Sequence, residues 1–226
     1  MDEFVSGLLA DNADHAERFD SRFDSVQDGQ LPSAVTVCCS DSRVLQDAMW
    51  GNTTTGQLFT CGNIGNRVIQ HTDDGAVVSG DVLYPIAHTG TETAIVVGHT
   101  GCGAVTAAYE ALTNGLDEPA GIEHSLGLLK PHLAPGVERL PTNLSREAAI
   151  NRLVEYNVDR QIEHLRHSDA IADSVTAVGV VYDFQDQYDG KRGELHVINI
   201  DGETDVATLR AAHPEIDARI GRLWEY

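Results

Sequence analysis

The strongest constraint on the fold is a set of short, uninterrupted apolar runs rich in β-branched residues. AVTVCC covers residues 34–39, TAIVVG covers 93–98 and VTAVGVVY covers 175–182. None alternates apolar with polar positions, so each reads as a strand buried on both faces. QLFTC at 57–61 is a further strand. Helical periodicity fills the intervals at 75–88, 104–112 and 146–167, the last with Ile150, Val154, Val158, Ile162 and Leu165 on one face. Strands alternating with helices predict an α/β fold with a mainly parallel central sheet and helices on both faces. ELHVINI at 194–200, after the turn DQYDGKRG, predicts an antiparallel edge strand.

The 226 residues read as one domain, with 1–28 as an N-terminal helical arm. In that arm Phe4, Leu8, Leu9, Phe19 and Phe23 recur at mostly helical spacing, with a break expected near Asp11. Residues 114–145, rich in Gly, Pro and His, predict broken helical pieces, and a short helix is expected near the C-terminus. Acidic residues outnumber basic ones 35 to 15, for a net charge of −20. Such a surface repels phosphate backbones and anionic lipid, so neither nucleic acid nor membrane is expected as a partner. The acid is spread along the chain, as expected of a protein adapted to high salt, where screening removes self-repulsion. No apolar run is long enough to span a bilayer. The acidic N-terminal stretch lacks the basic start of a secretory signal, so a cytoplasmic location is expected. Four cysteines in that setting suggest metal or catalytic chemistry rather than a disulfide framework.

Two stretches carry the chemistry: CCSDSR at 38–43 and GHTGCGA at 98–104. Sites in parallel sheets form beyond the carboxyl ends of strands, and both stretches fall at such ends. Zinc accepts thiolate and imidazole ligands, and three of them leave one position open for chemistry. Cys39, His99 and Cys102 make such a set, with glycines at 98, 101 and 103 permitting close backbone approach. Two thiolates and a dication sum to zero charge, which a buried site tolerates. A His-x-x-Cys pair alone is a weak motif, since most buried cysteines are simply small apolar residues. The glycine-rich turn also suggests an anion cradle, but its spacing matches neither the dinucleotide nor the Walker pattern. Side chains alternate along a strand, so only one of Cys38 and Cys39 faces the site easily. Counting CSDSR from Cys39 sets Asp41 and Arg43 two residues apart, within reach of a charge-assisted pair.

Cys-x-Asp-Ser-Arg at 39–43, followed by His-x-x-Cys-Gly at 99–103, resembles the β-class carbonic anhydrases. The resemblance implies that Cys39, His99 and Cys102 hold one zinc per subunit and that Asp41 and Arg43 form the catalytic dyad. It implies reversible hydration of carbon dioxide to bicarbonate and a proton by attack of zinc-bound hydroxide. Gln30, in the GQLP turn, falls where an amide hydrogen-bonds substrate. Phe59, Ile64 and Tyr84 fall where an apolar wall holds carbon dioxide, and Gly103 where a backbone amide helps hold bicarbonate. Tyr84 and His88 are candidate proton shuttles. The family also implies a homodimer with sites at the subunit interface, each arm embracing the partner.

One departure stands out. Members commonly carry an arginine where CGNIGN has Gly62, and the branch with an inhibitory bicarbonate site has a tryptophan where this chain has Thr36. With both markers missing and Gln30 present, the plant-type branch with an accessible site is expected. Two alternatives remain: hydrolysis of carbon disulfide or carbonyl sulfide on the same ligands, and a non-catalytic zinc or thiol-sensing protein.

Overall fold

The computed structural model describes residues 2–73 and 75–225. Its central sheet has the order β2-β1-β5-β6-β7. The strands are β1 (Ala34–Cys39), β2 (Leu58–Asn63), β5 (Thr93–His99), β6 (Thr176–Asp183) and β7 (Glu194–Ile200). β1, β2, β5 and β6 pair in parallel, and β7 joins β6 antiparallel, as the edge strand expected. A separate hairpin pairs β3 (Ile69–Thr72) with β4 (Gly75–Val78).

The helices are α1 (Glu3–Phe19), α2 (Gly80–His88), α3 (Gly103–Thr113), α4 (Ala120–Arg139), α5 (Arg146–Arg166) and α6 (Val206–Ala212). The large core gathers Val35, Val37 and Cys39 of β1 with buried residues of α2, α3, α4 and α5. The opposite face packs Cys38, Val97 and Val180 under the 3-10 turn Ala48–Trp50. α5 closes tightly on β5 because Gly98 has no side chain: a Cβ there would lie 2.8 Å from both Val154 Cγ1 and Val158 Cγ2.

Three local expectations fail, each for a physical reason. Residues 75–88 are not one helix. Gly75–Val78 pairs with Ile69–Thr72, and the helix begins only after Ser79. Val77 and Val78 satisfy a strand as well as a helix, and periodicity cannot separate them. The arm does not break at Asp11; α1 runs on to Phe19 before passing into a 3-10 turn at Asp20–Val26. Residues 120–139 form one helix, not broken pieces, despite Pro131 and Pro135. Both prolines lie on the exposed side, while Leu126, Leu129 and Leu133 bury the other. The hydrogen bonds lost to proline therefore fall where water replaces them.

Candidate active site

Strand order reverses across the centre of the sheet. β1 sits between β2 and β5, and the crevice opens beyond the carboxyl ends of β1 and β5. Cys39 is the last residue of β1 and His99 the last of β5. Cys102 immediately precedes α3. Their ligand atoms lie within 4.8 Å of one another, and all three residues are buried. Sγ of Cys102 is 3.8 Å from Sγ of Cys39.

The cysteine doublet is resolved by the pleat. Cys39 faces the crevice, whereas Cys38 lies in the apolar cluster on the other face of the sheet. Burial pushes the Cys38 thiol up to about 12. Cys39 moves the other way, down to about 5, because Cys102 donates a hydrogen bond to it and the neighbouring His99 also favours its thiolate, against the penalty of burial. Cys102, as the donor in that bond and deeply buried, is pushed up.

His99 completes the set. Its Nδ1 lies 3.0 Å from the carbonyl of Thr100, which only accepts, so Nδ1 carries the proton. Nε2 then presents a lone pair into the crevice, and it is buried with no hydrogen-bond partner. A buried acceptor left unmatched is costly. Two sulfurs and an orphaned imidazole nitrogen converging on one point are a donor set that fits zinc.

Beside this cluster, Arg43 grips Asp41 with Nε on Oδ1 at 2.8 Å and Nη2 on Oδ2 at 2.7 Å. The backbone N–H of Arg43 adds a third bond to Oδ1 at 2.9 Å. These bonds hold the Asp41 carboxyl well below the usual carboxylate range. Asp41 Oδ2 stands 3.6 Å from His99 Nε2. The guanidinium is itself fixed by Gly101 O at 3.1 Å and by the face of Phe184, 4.6 Å from the ring centre. The carboxylate is thus ionised, oriented and engaged by Arg43 rather than free to ligate.

The carbonic anhydrase family profile matches residues 34–191, which span both motifs and most of the sheet. The chain belongs to the β-carbonic anhydrase family. A carbonic anhydrase of Pseudomonas aeruginosa is 29% identical over 224 residues, covering 96% of each chain. One of Mycolicibacterium smegmatis is 30% identical over 173 residues, covering 72% of this chain and 75% of that one. The solved β-carbonic anhydrase CafA of Aspergillus fumigatus superposes with a TM-score of 0.70 at 25% identity, over 97% of this chain and all of that one. This family member is therefore an enzyme, a carbonic anhydrase.

The other expected site residues of this carbonic anhydrase scatter more. Phe59 on β2 is half-buried and meets Tyr84 of α2 with ring centres 6.2 Å apart, and Tyr84 in turn lies 5.2 Å from His88. Ile64, in the loop after β2, is exposed, as is half of Tyr84. Gln30 is exposed in the segment before β1, and Gly103 is the first residue of α3. Over Gly62, a Cβ would meet Gln46 Nε2 at 2.8 Å and Ser40 Oγ at 3.1 Å, so Gln46 fills the space an arginine side chain would leave through.

Several supports were not read from the sequence. Asn151 of α5 accepts the Gly101 N–H at 2.8 Å and so fixes the turn between His99 and Cys102. Buried Asp183 accepts Thr100 Oγ1 at 3.2 Å and ties that turn to the end of β6. Phe184 stacks on His99 with ring centres 5.7 Å apart. One signal was available: Asn151, Glu155, Asn157, Asp159 and Gln161 are polar, fall on a helix with a strong apolar face, and are all buried.

Proposed function

We propose that this chain catalyses the reversible hydration of carbon dioxide to bicarbonate and a proton, with one zinc held by Cys39, His99 and Cys102. The observation that carries this reading is the buried, unpartnered His99 Nε2 beside two thiols and an arginine-gripped carboxylate. Zinc in such a set makes a water acidic enough to ionise at a pKa of about 7. Asp41, ionised and immobilised beside that set, would accept a hydrogen bond from a water or hydroxide there and orient it. Arg43 keeps that carboxylate engaged and would keep it from serving as a ligand itself. Phe59, Ile64 and Tyr84 form the apolar wall for carbon dioxide, the Gln30 amide hydrogen-bonds substrate, and the Gly103 N–H, at a helix start, favours the bicarbonate charge. Tyr84 and His88, in ring contact, suit the export of the proton.

We assign the chain to the plant-type branch. Gly62 and Thr36 replace the arginine and tryptophan of the inhibited branch, and Gln46 packs over Gly62. The working form is a homodimer, with Gln30 reaching the neighbouring site and residues 1–28 as an arm on one domain spanning 1–226. The reduced Cys39–Cys102 pair suits a reducing cytoplasm, and the net charge of −20 suits high salt. No helix among the described residues is long and apolar enough to cross a membrane.

The deciding experiment is stopped-flow hydration of carbon dioxide in molar salt, with zinc content measured in parallel. Cys39→Ala is expected to lose both zinc and activity. Cys38→Ala is expected to keep both, because its thiol lies behind the sheet. The reverse result would exchange the ligand assignment, and a wild-type protein that hydrolyses carbonyl sulfide but leaves carbon dioxide untouched would replace the substrate.

A further inference from the structure

Phe184 touches both halves of the site. Its ring stacks on the His99 imidazole, with centres 5.7 Å apart and planes 23° from parallel. The Arg43 guanidinium lies over the same ring, 4.6 Å from its centre. One aromatic side chain therefore meets a member of the donor set and the arginine that grips Asp41.

The backbone that carries this ring is locked to the backbone that carries His99. Asp183, buried at the end of β6, accepts Thr100 Oγ1 at 3.2 Å and Gln185 N at 2.9 Å on Oδ1. Its Oδ2 accepts Gln187 N at 2.7 Å and Tyr188 N at 3.0 Å. The turn at 184–188 is thus wound around a buried carboxylate. Having donated to Asp183, the Thr100 hydroxyl accepts the Phe184 N–H at 3.2 Å. Thr100 N donates to Tyr182 O at 3.1 Å, and Thr100 O is the carbonyl that meets His99 Nδ1. Gln185 fills the remaining gap: a Cβ on Gly101 would lie 2.6 Å from its Nε2.

Arg43 has no such bracing. It follows β1, whereas His99 ends β5, and its side chain is 49% exposed. Beyond Asp41, the guanidinium meets Gly101 O at 3.1 Å and the Phe184 ring. Water competes for the hydrogen bonds of a half-exposed guanidinium, whereas the ring face attracts the cation through its quadrupole. The register matters because Asp41 Oδ2 stands 3.6 Å from His99 Nε2. An Arg43 that swung outward would drag or release that carboxylate.

We propose that Phe184 is a positioning residue for the hydration reaction: its ring holds the Arg43 guanidinium in fixed register with His99, and so keeps the Asp41 carboxylate beside His99 Nε2. The inference rests on the function proposed above.

The test uses zinc-loaded, 15N-labelled wild type, Phe184→Leu, Phe184→Met and Phe184→Tyr. Two quantities are read: the rate at which the Arg43 Nε–H exchanges with water, and kcat/KM for carbon dioxide hydration. A ring face favours a partly exposed cation by roughly two- to fivefold. Phe184→Leu, which keeps bulk without the ring, is therefore expected to exchange roughly two- to fivefold faster and to lose about as much in kcat/KM. Phe184→Tyr, which keeps the ring, is expected to rescue both readings. Phe184→Met carries the test if Leu does not fold. Leu or Met exchanging as slowly as wild type would show that bulk alone suffices and overturn the proposal. Faster exchange with kcat/KM unchanged would overturn it too. If wild type hydrates no carbon dioxide, the proposed function fails, and the exchange rates still decide whether the ring holds the guanidinium. If wild type is active and every variant equals it, this inference alone fails.

Discussion

The side chains at the site act by cancelling each other's costs. Two thiols, an imidazole nitrogen without a partner and an ionised carboxylate are each expensive to bury. Together they leave one position of unbalanced negative charge, which a dication neutralises. Asp41 shows how far a single neighbour shifts this balance. With Arg43 in place its folded pKa lies below the ordinary 3.8, so its contribution to stability is present above that value and is lost as pH falls through the lowered one. Replacing Arg43 with Gln removes two charge-assisted bonds and returns the carboxyl toward 3.8. Activity should then fall by about 10–100-fold, on the scale of other outer-shell losses, and the acid limb of the pH–rate profile should move to higher pH. An Arg43→Gln profile that overlays wild type would remove Arg43 from the mechanism. The residue scale was largely legible in the sequence, because Cys-x-Asp-Ser-Arg and His-x-x-Cys place their chemistry at fixed offsets.

α5 is the element on which the site is built. Its apolar stripe was plain from periodicity, and Ser145 caps its start by accepting the Ala148 N–H at 3.2 Å. Its polar residues showed in the sequence as interruptions of that helix, but their partners did not, because these come from four distant segments. Asn151 holds Gly101, Asn157 holds Gly65, and Gln161 accepts the Val68 N–H at 2.9 Å. Glu155 anchors the chain end: it accepts Leu223 N at 2.8 Å, Trp224 N at 2.6 Å and a short bond from Tyr188 Oη. Burial outweighs these bonds and the nearby Arg222, and raises the Glu155 carboxyl from 4.5 to about 7. The folded state therefore binds a proton that the unfolded chain releases. This contribution is complete below pH 4.5 and is lost as pH rises through about 7. Urea midpoints of wild type should fall between pH 5 and pH 8, and those of Glu155→Gln should fall less. Equal slopes for the two proteins would mean that Glu155 is ionised throughout. The hairpin β3–β4 teaches the opposite lesson: four residues of apolar sequence suit strand and helix equally, and only pairing decides.

At the scale of the whole molecule, α1 buries none of its residues in its own chain. Phe4, Leu8 and Leu9 are more than half exposed, an apolar group of the kind that often marks an interaction surface. If the arm embraces a second copy, Leu8→Asp with Leu9→Asp should shift the mass seen by light scattering toward monomer while leaving the monomer fold intact by circular dichroism. An unchanged mass would return the arm to its own chain. The acid-rich surface makes a second expectation: the thermal midpoint of wild type should rise between 0.1 M and 2 M potassium chloride, as screening removes self-repulsion beyond about 3 Å at 1 M salt. A flat or falling midpoint would mean the charge is merely solvated.

Sequence alone determined the α/β class, the parallel core and the identity of the reactive groups. These follow from local rules: strand runs, helical period, and ligand types at short spacing. The two-residue repeat of a strand allowed only one of Cys38 and Cys39 to face the site, and the Cys-x-Asp-Ser-Arg motif pointed to Cys39. Tertiary structure alone decided how those groups are supported. Asn151 is fifty residues from Gly101, Asn157 ninety-two from Gly65 and Thr100 eighty-three from Asp183. Such contacts depend on where the sheet and α5 carry each backbone, and the sum of many packing choices fixes that.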